Sequence, residues 1–316
     1  MTAASVSPAN PRRERLRLRM HSAREFVGRF AQHPDGVIGL AILIVFSVLA
    51  LIPTLLVGRL ETATIASGLP LQGPDATHIL GTDDLGRDIL NLTVHGTRIS
   101  MLIGLLATLV TVVIGTSFGI VAGYVGGVVD AILMRITDFF LVLPTFVLAL
   151  ILAPIVLDLI GSDALILGIR ANLFVTVIVI GVTSWASTAR IIRSQALSVR
   201  ERMFVDRARV IGGSSGHIMR RHILPNVVNL IVANTVLTFA GAVLTETTLA
   251  FVGLGDPFDP SWGQILNAAE SRGAPGLGAW WFFAPPAACV VLVVLAFTLV
   301  GGALDDVLNP RARLRR

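Results

Sequence analysis

The chain has 316 residues, 54% of them hydrophobic and 14% charged, with 25 basic residues against 20 acidic ones and a single cysteine. A soluble domain carries about 25% charged residues, so this composition excludes an ordinary water-soluble globule, and one cysteine excludes an internal disulfide. The net charge of +5 does not argue for nucleic acid, because every basic residue is an arginine and the arginines flank apolar runs, where membrane topology and anionic lipid require them.

Residues 1–31 form a basic tail, RRERLRLRMHSAREF at its centre, which reads as an amphipathic surface helix or, over its first ten residues, as disorder. Six apolar stretches follow, near 37–57, 99–122, 136–157, 171–188, 228–250 and 281–303. Each can cross ~30 Å of hydrocarbon, which takes about 20 helical residues. The runs are continuously apolar, whereas barrel strands alternate, so the expected class is an all-α membrane protein with six transmembrane helices. The first run is too long for a cleaved signal sequence and reads as a retained anchor. Twenty arginines lie in the two tails, at 135 and between 190 and 221; the other five, at 59, 87, 98, 170 and 272, fall on the opposite side. The positive-inside rule then places both termini and the 190–226 loop in the cytoplasm.

The segment 58–98 is a long external connection. Thr82, followed by Asp83 and Asp84, is the expected N-cap of a helix carrying Leu85, Ile89 and Leu92 on one face. In the second span Gly115 and Gly119 form a GxxxG, which lets helices approach closely. AGYVGGVVD (122–130) is a short cytoplasmic turn with Asp130 as a cap, and Asp138 is expected to pair with Arg135 in the third span. A short outer loop around Asp158, Gly161 and Asp163 leads to the fourth span, where Arg170 can snorkel to the surface. Beyond the fifth span, SWGQILNAAE suggests a short outer helix, with Trp262, Trp280 and Trp281 suiting an interfacial belt. Glu246, in the outer part of the fifth span, is the candidate residue of a translocation path, since a charge at membrane depth usually faces protein or water. Capping a helix end, or pairing with Arg98 or Arg272, fits it equally.

Between the fourth and fifth spans the oil gives way to SVRERMFVDRARVIGGSSGHIMRRHILPN (198–226). Ser198 and Glu201 have the spacing of a capping box and predict a helix start. Gly212 and Gly213 predict its end. Ser214 or Ser215 can cap a second helix, which Pro225 should stop. Phe204, Ala208 and Ile211 fall on one stripe of the first helix, and His217, Arg220 and Arg221 project from the second. Such a hairpin suits a partner protein with a cleft; folding back on its own helix ends suits it as well.

FVDRARVIGGSSGHIMRRHILPN resembles the EAA loop of ABC importer permeases, the loop that docks in the ATPase subunit. Asp206, Arg207 and Ala208 occupy the Glu-Ala-Ala triplet, with Asp for Glu and Arg for the first Ala; Gly212, Leu224 and Pro225 match the rest of the pattern. HILGTDDLGRDILNLTVHGTRIS, GYVGGVVDAILMRITDFFLVLP and FVGLGDPFDPSWGQIL resemble the C-type permease of the dipeptide, oligopeptide and nickel branch, over about 33–310.

The resemblance implies a type I ABC importer permease fold. It divides the chain into a basic tail (1–31), a first helix with its external segment (32–97), a permease domain (98–305) and a basic C-terminal tail (306–316). It implies a non-catalytic subunit, coupled through 198–225 with Phe204, Gly213, His217 and Arg220 among the coupling residues. Partners would be a second homologous permease, two ATPase subunits and an extracytoplasmic binding protein, with lipid around them. The chain has no lysine, and a P-loop needs one at the β/γ-phosphates; ATP and Mg would therefore bind the partner subunits. No cofactor or metal is expected in this chain. Di- and oligopeptides are the expected cargo, with nickel chelates and haem as alternatives. A proton-coupled secondary transporter is the rival class.

Overall fold

The computed structural model describes residues 24–308 except 162–163, 167–168 and 257, and for Ile169 the backbone only; the tails before and after, and Asp163, lie outside the described residues. After a helical stretch over 24–31, α1 (Pro34–Leu51) and the short α2 (Pro53–Val57) form the first apolar run. The long α3 (Ile89–Val125) follows, then α4 (Gly127–Val142) and α5 (Thr145–Ile160). A hairpin of two residues per strand, β1 (Leu165–Ile166) and β2 (Ile169–Arg170), leads into α6 (Ala171–Arg200). Next come α7 (Met203–Val210), α8 (Ser215–Ile218), a π-helical turn π1 (Met219–Ile223), α9 (Leu224–Leu249) and a second π turn π2 (Ala250–Leu254). The last elements are α10 (Trp262–Ser271) and α11 (Trp280–Leu308).

Among the described residues, five helical runs are long and apolar enough to cross a membrane, six if α4 and α5 count as one broken span. The straight third span expected over 136–157 is replaced by two helices of 16 residues bent by 91°. The cause is local: Leu143 precedes Pro144 and takes an extended conformation (φ −80°, ψ 129°), as steric conflict with the proline ring demands.

The bundle has two distinct ends. At one, the lever end, Gly36 meets Ala303, Gly126 meets Arg200, and the 201–214 connection emerges. At the other, the cap end, the segments 58–88 and 255–279 form a folded lid. Asn91 Nδ2 donates to the carbonyls of Val57 and Arg59 (both 2.9 Å), and Trp281 Nε1 donates to the Thr82 carbonyl (3.2 Å). Beneath these bonds Ile89, Leu92, Ile265 and Phe282 make a separate core.

Thr82 does not cap a helix. Its hydroxyl donates to the Leu69 carbonyl (2.5 Å) and accepts from Gln72 N–H (2.9 Å) inside the lid. Asp88 is the N-cap of α3, accepting from Leu90 N–H at 2.9 Å. Asp83 instead closes a local turn: it accepts from the backbone N–H groups of Leu85 and Arg87 and from the Arg87 guanidinium.

The GxxxG is one part of a longer seam. Gly115, Gly119 and Gly123 line the face of α3 that meets α6. A Cβ on them would come within 2.7 Å of Thr188 Cβ, the Ala189 carbonyl and Ala196 Cβ respectively. Backbone-to-backbone approach of this kind maximises dispersion contact where lipid offers no hydrophobic drive. At the lever end of the seam Arg193 grips Asp130 with two bonds (2.5 and 2.6 Å), so Asp130 ties α4 to α6. Asp138 pairs with Arg190 (2.6 Å), not with Arg135, because the facing helix brings a closer cation than its own.

Trp262 is not part of an interfacial belt. It is fully buried, its N–H donates to Ser100 Oγ (3.2 Å), its indole N–H to the Thr93 carbonyl (3.1 Å), and its ring meets Phe46 edge-on. α10 itself forms as expected, with Ser261 as N-cap.

Candidate functional site: the lever between α6 and α9

α6 does not end at Ser198, and no capping box forms. Ser198 Oγ donates back to the Ser194 carbonyl (3.3 Å) within the helix, which runs on to Arg200. Glu201 is the C-cap, and the extended Arg202 (φ −84°, ψ 138°) turns the chain into α7. Continuity of the preceding apolar helix outweighs a local start signal, since each further helical residue adds a backbone bond without a new nucleation cost.

α7 is held by two residues. Val205 and Ala208, at i and i+3, are buried with Ile192, Ala196 and Val199 of α6, Tyr124 of α3, and Ile218 and Ile223 of the returning helix. The expected stripe of Phe204, Ala208 and Ile211 is therefore divided: Ala208 faces inward, while Phe204 is exposed and Ile211 is 83% exposed. Val205 was the anchor that the stripe overlooked; the sequence offers Val205/Ala208 and Ala208/Ile211 at the same i, i+3 spacing and does not separate them. Met203 and Val210 join Phe204 and Ile211 on the open side. Asp206 pairs with Arg209 (3.0 Å), whose guanidinium stacks over the Tyr124 ring at 5.4 Å. Arg207 is exposed on the same open side.

The turn is made by two glycines with different duties. Gly212 has φ +86°, which side chains rarely adopt. Gly213 N–H donates to the Ala208 carbonyl (2.9 Å), and a Cβ there would lie 2.7 Å from that oxygen. Ser214 then caps α8 by accepting from His217 N–H (3.4 Å).

Pro225 does not stop the second helix; it lies in the first turn of α9, and the helical run continues from Ser215 until the backbone kinks at Gly253 (φ +97°). π1 makes this possible. Leu224 N–H reaches back five residues to the Met219 carbonyl, so the ladder changes register just before the residue that has no N–H. Asn226 Nδ2 adds a bond to the His222 carbonyl (2.7 Å) beside the gap. α8, π1 and α9 thus form one continuous helix. Leu224 is half-buried, and His217, Arg220 and Arg221 are exposed as expected. They line a groove of about 990 Å³ whose other wall is Thr116, Ser117 and Ile120 of α3.

Glu246 lies far from the lever, in α9 near the cap end. It is 1% exposed, with the hydroxyls of Ser100 and Ser261 on its carboxyl and Thr247 Oγ1 at 3.4 Å. A void of about 10 Å³ beside it is shared with Asp256 and Asp259. Arg98 and Arg272 do not pair with it: Arg272 binds Asp84 (2.9 Å), and Arg98 lines a groove elsewhere. Arg170 is drawn to the lid, 3.5 Å from Asp259 and 3.9 Å from Asp256, with its guanidinium over the Phe258 ring at 4.4 Å.

Long apolar helices, a lid at one end, and an ordered hairpin with an apolar open face at the other are the architecture of a multi-pass membrane protein. The comparisons with known proteins agree. The chain belongs to the family of binding-protein-dependent transport system inner membrane components, whose profile matches residues 115–314. It is similar to the dipeptide transport system permease protein DppC of Alkalihalophilus pseudofirmus, 32% identical over 293 residues, 92% of this chain and 90% of that one. Similar too are DppC of Bacillus subtilis, 34% identical over 244 residues (76% and 71% of the two chains), and the oligopeptide transport system permease protein OppC of Mycobacterium bovis, 34% over 250 residues (78% and 80%). The helical architecture fits the type I permease fold of that family.

Proposed function

We propose that this chain is the non-catalytic permease subunit of an ATP-driven importer of di- or oligopeptides in the bacterial inner membrane, with the lever end and both termini in the cytoplasm. The lever supports this reading most directly. Val205 and Ala208 fix α7 to the body, and Met203, Phe204, Val210 and Ile211 leave an apolar face uncovered, the kind of face a partner's cleft takes up. The names and coverage of the relatives support peptides as cargo. A second, homologous permease would complete the pathway, two ATPase subunits would bind ATP and Mg, and a binding protein would deliver peptide to the lid. Closure of the ATPases would pull α7; because α8, π1 and α9 are continuous, the pull would reach Glu246, a candidate residue of the path. Alternating access then requires two packings close in free energy, biased by nucleotide and loaded binding protein.

Purification from native membrane should bring down two ATPase chains and a second permease, with ATP hydrolysis stimulated by peptide and binding protein. Gly212→Pro should abolish uptake and uncouple hydrolysis while the complex still assembles, since proline fixes φ near −65° and Gly212 needs +86°. Normal peptide uptake by Gly212→Pro, or uptake driven by a proton gradient with no ATPase attached, would overturn the proposal.

A further inference from the structure

Residues 89–97 of α3 are buried under the lid, apart from the half-buried Leu90 and His95; Arg98 is the first exposed residue after them. The same face continues through Leu102, Leu105, Leu109 and Val113, all 40–60% exposed. Arg87, Arg170 and Arg272, at the same end, each have an acidic partner, whereas no acid among the described residues pairs with Arg98.

A count of one membrane thickness along α3 puts Arg98 at the cap-end boundary of the hydrocarbon. α3 has 37 residues, ~55 Å at 1.5 Å each, against ~30 Å of membrane core. The charged level at the lever end is marked by Arg193, whose backbone nitrogen lies 3.0 Å from where a Gly119 Cβ would be. Twenty residues back along α3, one membrane thickness, is position 99.

From this boundary an open groove of about 650 Å³ runs toward the membrane interior between α1, α3, α9 and α11. Arg98 lies at its cap-end level, with Leu51, Met101, Leu105, Val236 and Phe239 among the lining residues. Phe239 and Phe297 stack at 4.0 Å along it. The pattern is that of an amphiphile: one cation at headgroup level, then oil.

We propose that the groove is the binding site of one anionic phospholipid of the cap-end leaflet, with its phosphate on Arg98 and an acyl chain along Leu102, Leu105 and Phe239. A single arginine neutralises a single phosphodiester, and guanidinium binds phosphate by two parallel bonds. A peptide is a poorer fit, because each of its backbone N–H and C=O groups needs a partner and the lining offers Ser47 and Thr235 besides Arg98. A partner helix seated there would enclose Arg98 unless it brought an acid.

The test uses the whole importer purified from its membrane and placed in nanodiscs containing a phosphatidylglycerol with a diazirine in its acyl chain. After illumination, adducts are mapped by mass spectrometry. The wild type should be labelled within 98–105 and 235–239. Arg98→Gln should lower this labelling about 5-fold, the equivalent of the ~1 kcal/mol that one basic residue contributes at an anionic membrane surface. Arg98→Lys should retain most of it. Unlabelled groove peptides, or equal labelling of wild type and Arg98→Gln, would overturn the site. So would a Leu102→Cys disulfide to a cysteine of the second permease, which would show a helix in the groove. Because the readout is lipid attachment, it is independent of the cargo.

Discussion

Val205→Ala tests whether α7 is a lever fixed to the body or a loop at rest on it. Val205 is fully buried, and its truncation removes two methyl groups. At about 0.8 kcal/mol each, the transfer loss is ~1.6 kcal/mol; the cavity left behind raises it to ~2 kcal/mol. Val205 and Ala208 are the buried residues of α7, so this loss falls on the docking of that helix and leaves the membrane bundle intact. Local opening should then become ~30-fold more frequent, at 1.4 kcal/mol per factor of ten. Hydrogen exchange of amides 205–213 in the assembled importer reads this directly, and peptide-stimulated ATP hydrolysis should lose its link to uptake in the same variant. Ile211→Ser is the counterpart: Ile211 is 83% exposed, so exchange in the isolated permease should be unchanged while ATPase attachment weakens. If exchange in Val205→Ala stays within 2-fold of the wild type, α7 is not anchored as described and the lever has no fixed point.

The α3–α6 seam should be intolerant of bulk. Gly119→Leu would place a Cβ 2.7 Å from the Ala189 carbonyl and 2.9 Å from Ile192 Cβ, and overpacking of this kind costs about 1–3 kcal/mol; the thermal midpoint of the purified permease should fall, and an unchanged midpoint would refute the close approach. In the lid, Asp75 is pulled down to about 2, first by the Thr77 hydroxyl and then by the His78 backbone N–H. Its folded value lies below its unfolded 3.8, so its contribution is present above the unfolded value and is lost as pH falls through the folded one. Hydrogen exchange at Thr77 and His78 should be insensitive to this group above about pH 5 and rise, beyond the intrinsic rate, from about pH 4 to 2; Asp75→Ala should show the low-pH behaviour at neutral pH.

What the sequence determined by itself was whatever depends on neighbours along the chain. Apolar runs of about twenty residues specify helices regardless of where they pack, because in lipid each backbone group must be satisfied within its own segment. The two glycines at 212 and 213, Ser214 as a cap and the short helix in SWGQILNAAE were legible for the same reason: they depend on groups within a few residues. The triplet at 206–208 with Gly212 located the lever and suggested the class of machine, and the family match over 115–314 agrees with it.

What only the tertiary structure decided was which of several locally equivalent choices is made. The face that α7 buries depends on α6, α3 and the returning helix all meeting Val205 and Ala208; a helical wheel of eight residues cannot distinguish that face from the one bearing Phe204 and Ile211. Pro225 reads locally as a stop, yet a π turn upstream and packing on both sides carry the helix past it. Trp262 reads as an interfacial residue until its partners, Ser100 and the Thr93 carbonyl, arrive from more than 160 positions away. Arg190 takes Asp138 from Arg135 in the same way. Local propensity is worth tenths of a kcal/mol per residue, whereas burying a large side chain is worth about 1.5–3 kcal/mol; where the two disagree, the long-range contact sets the outcome.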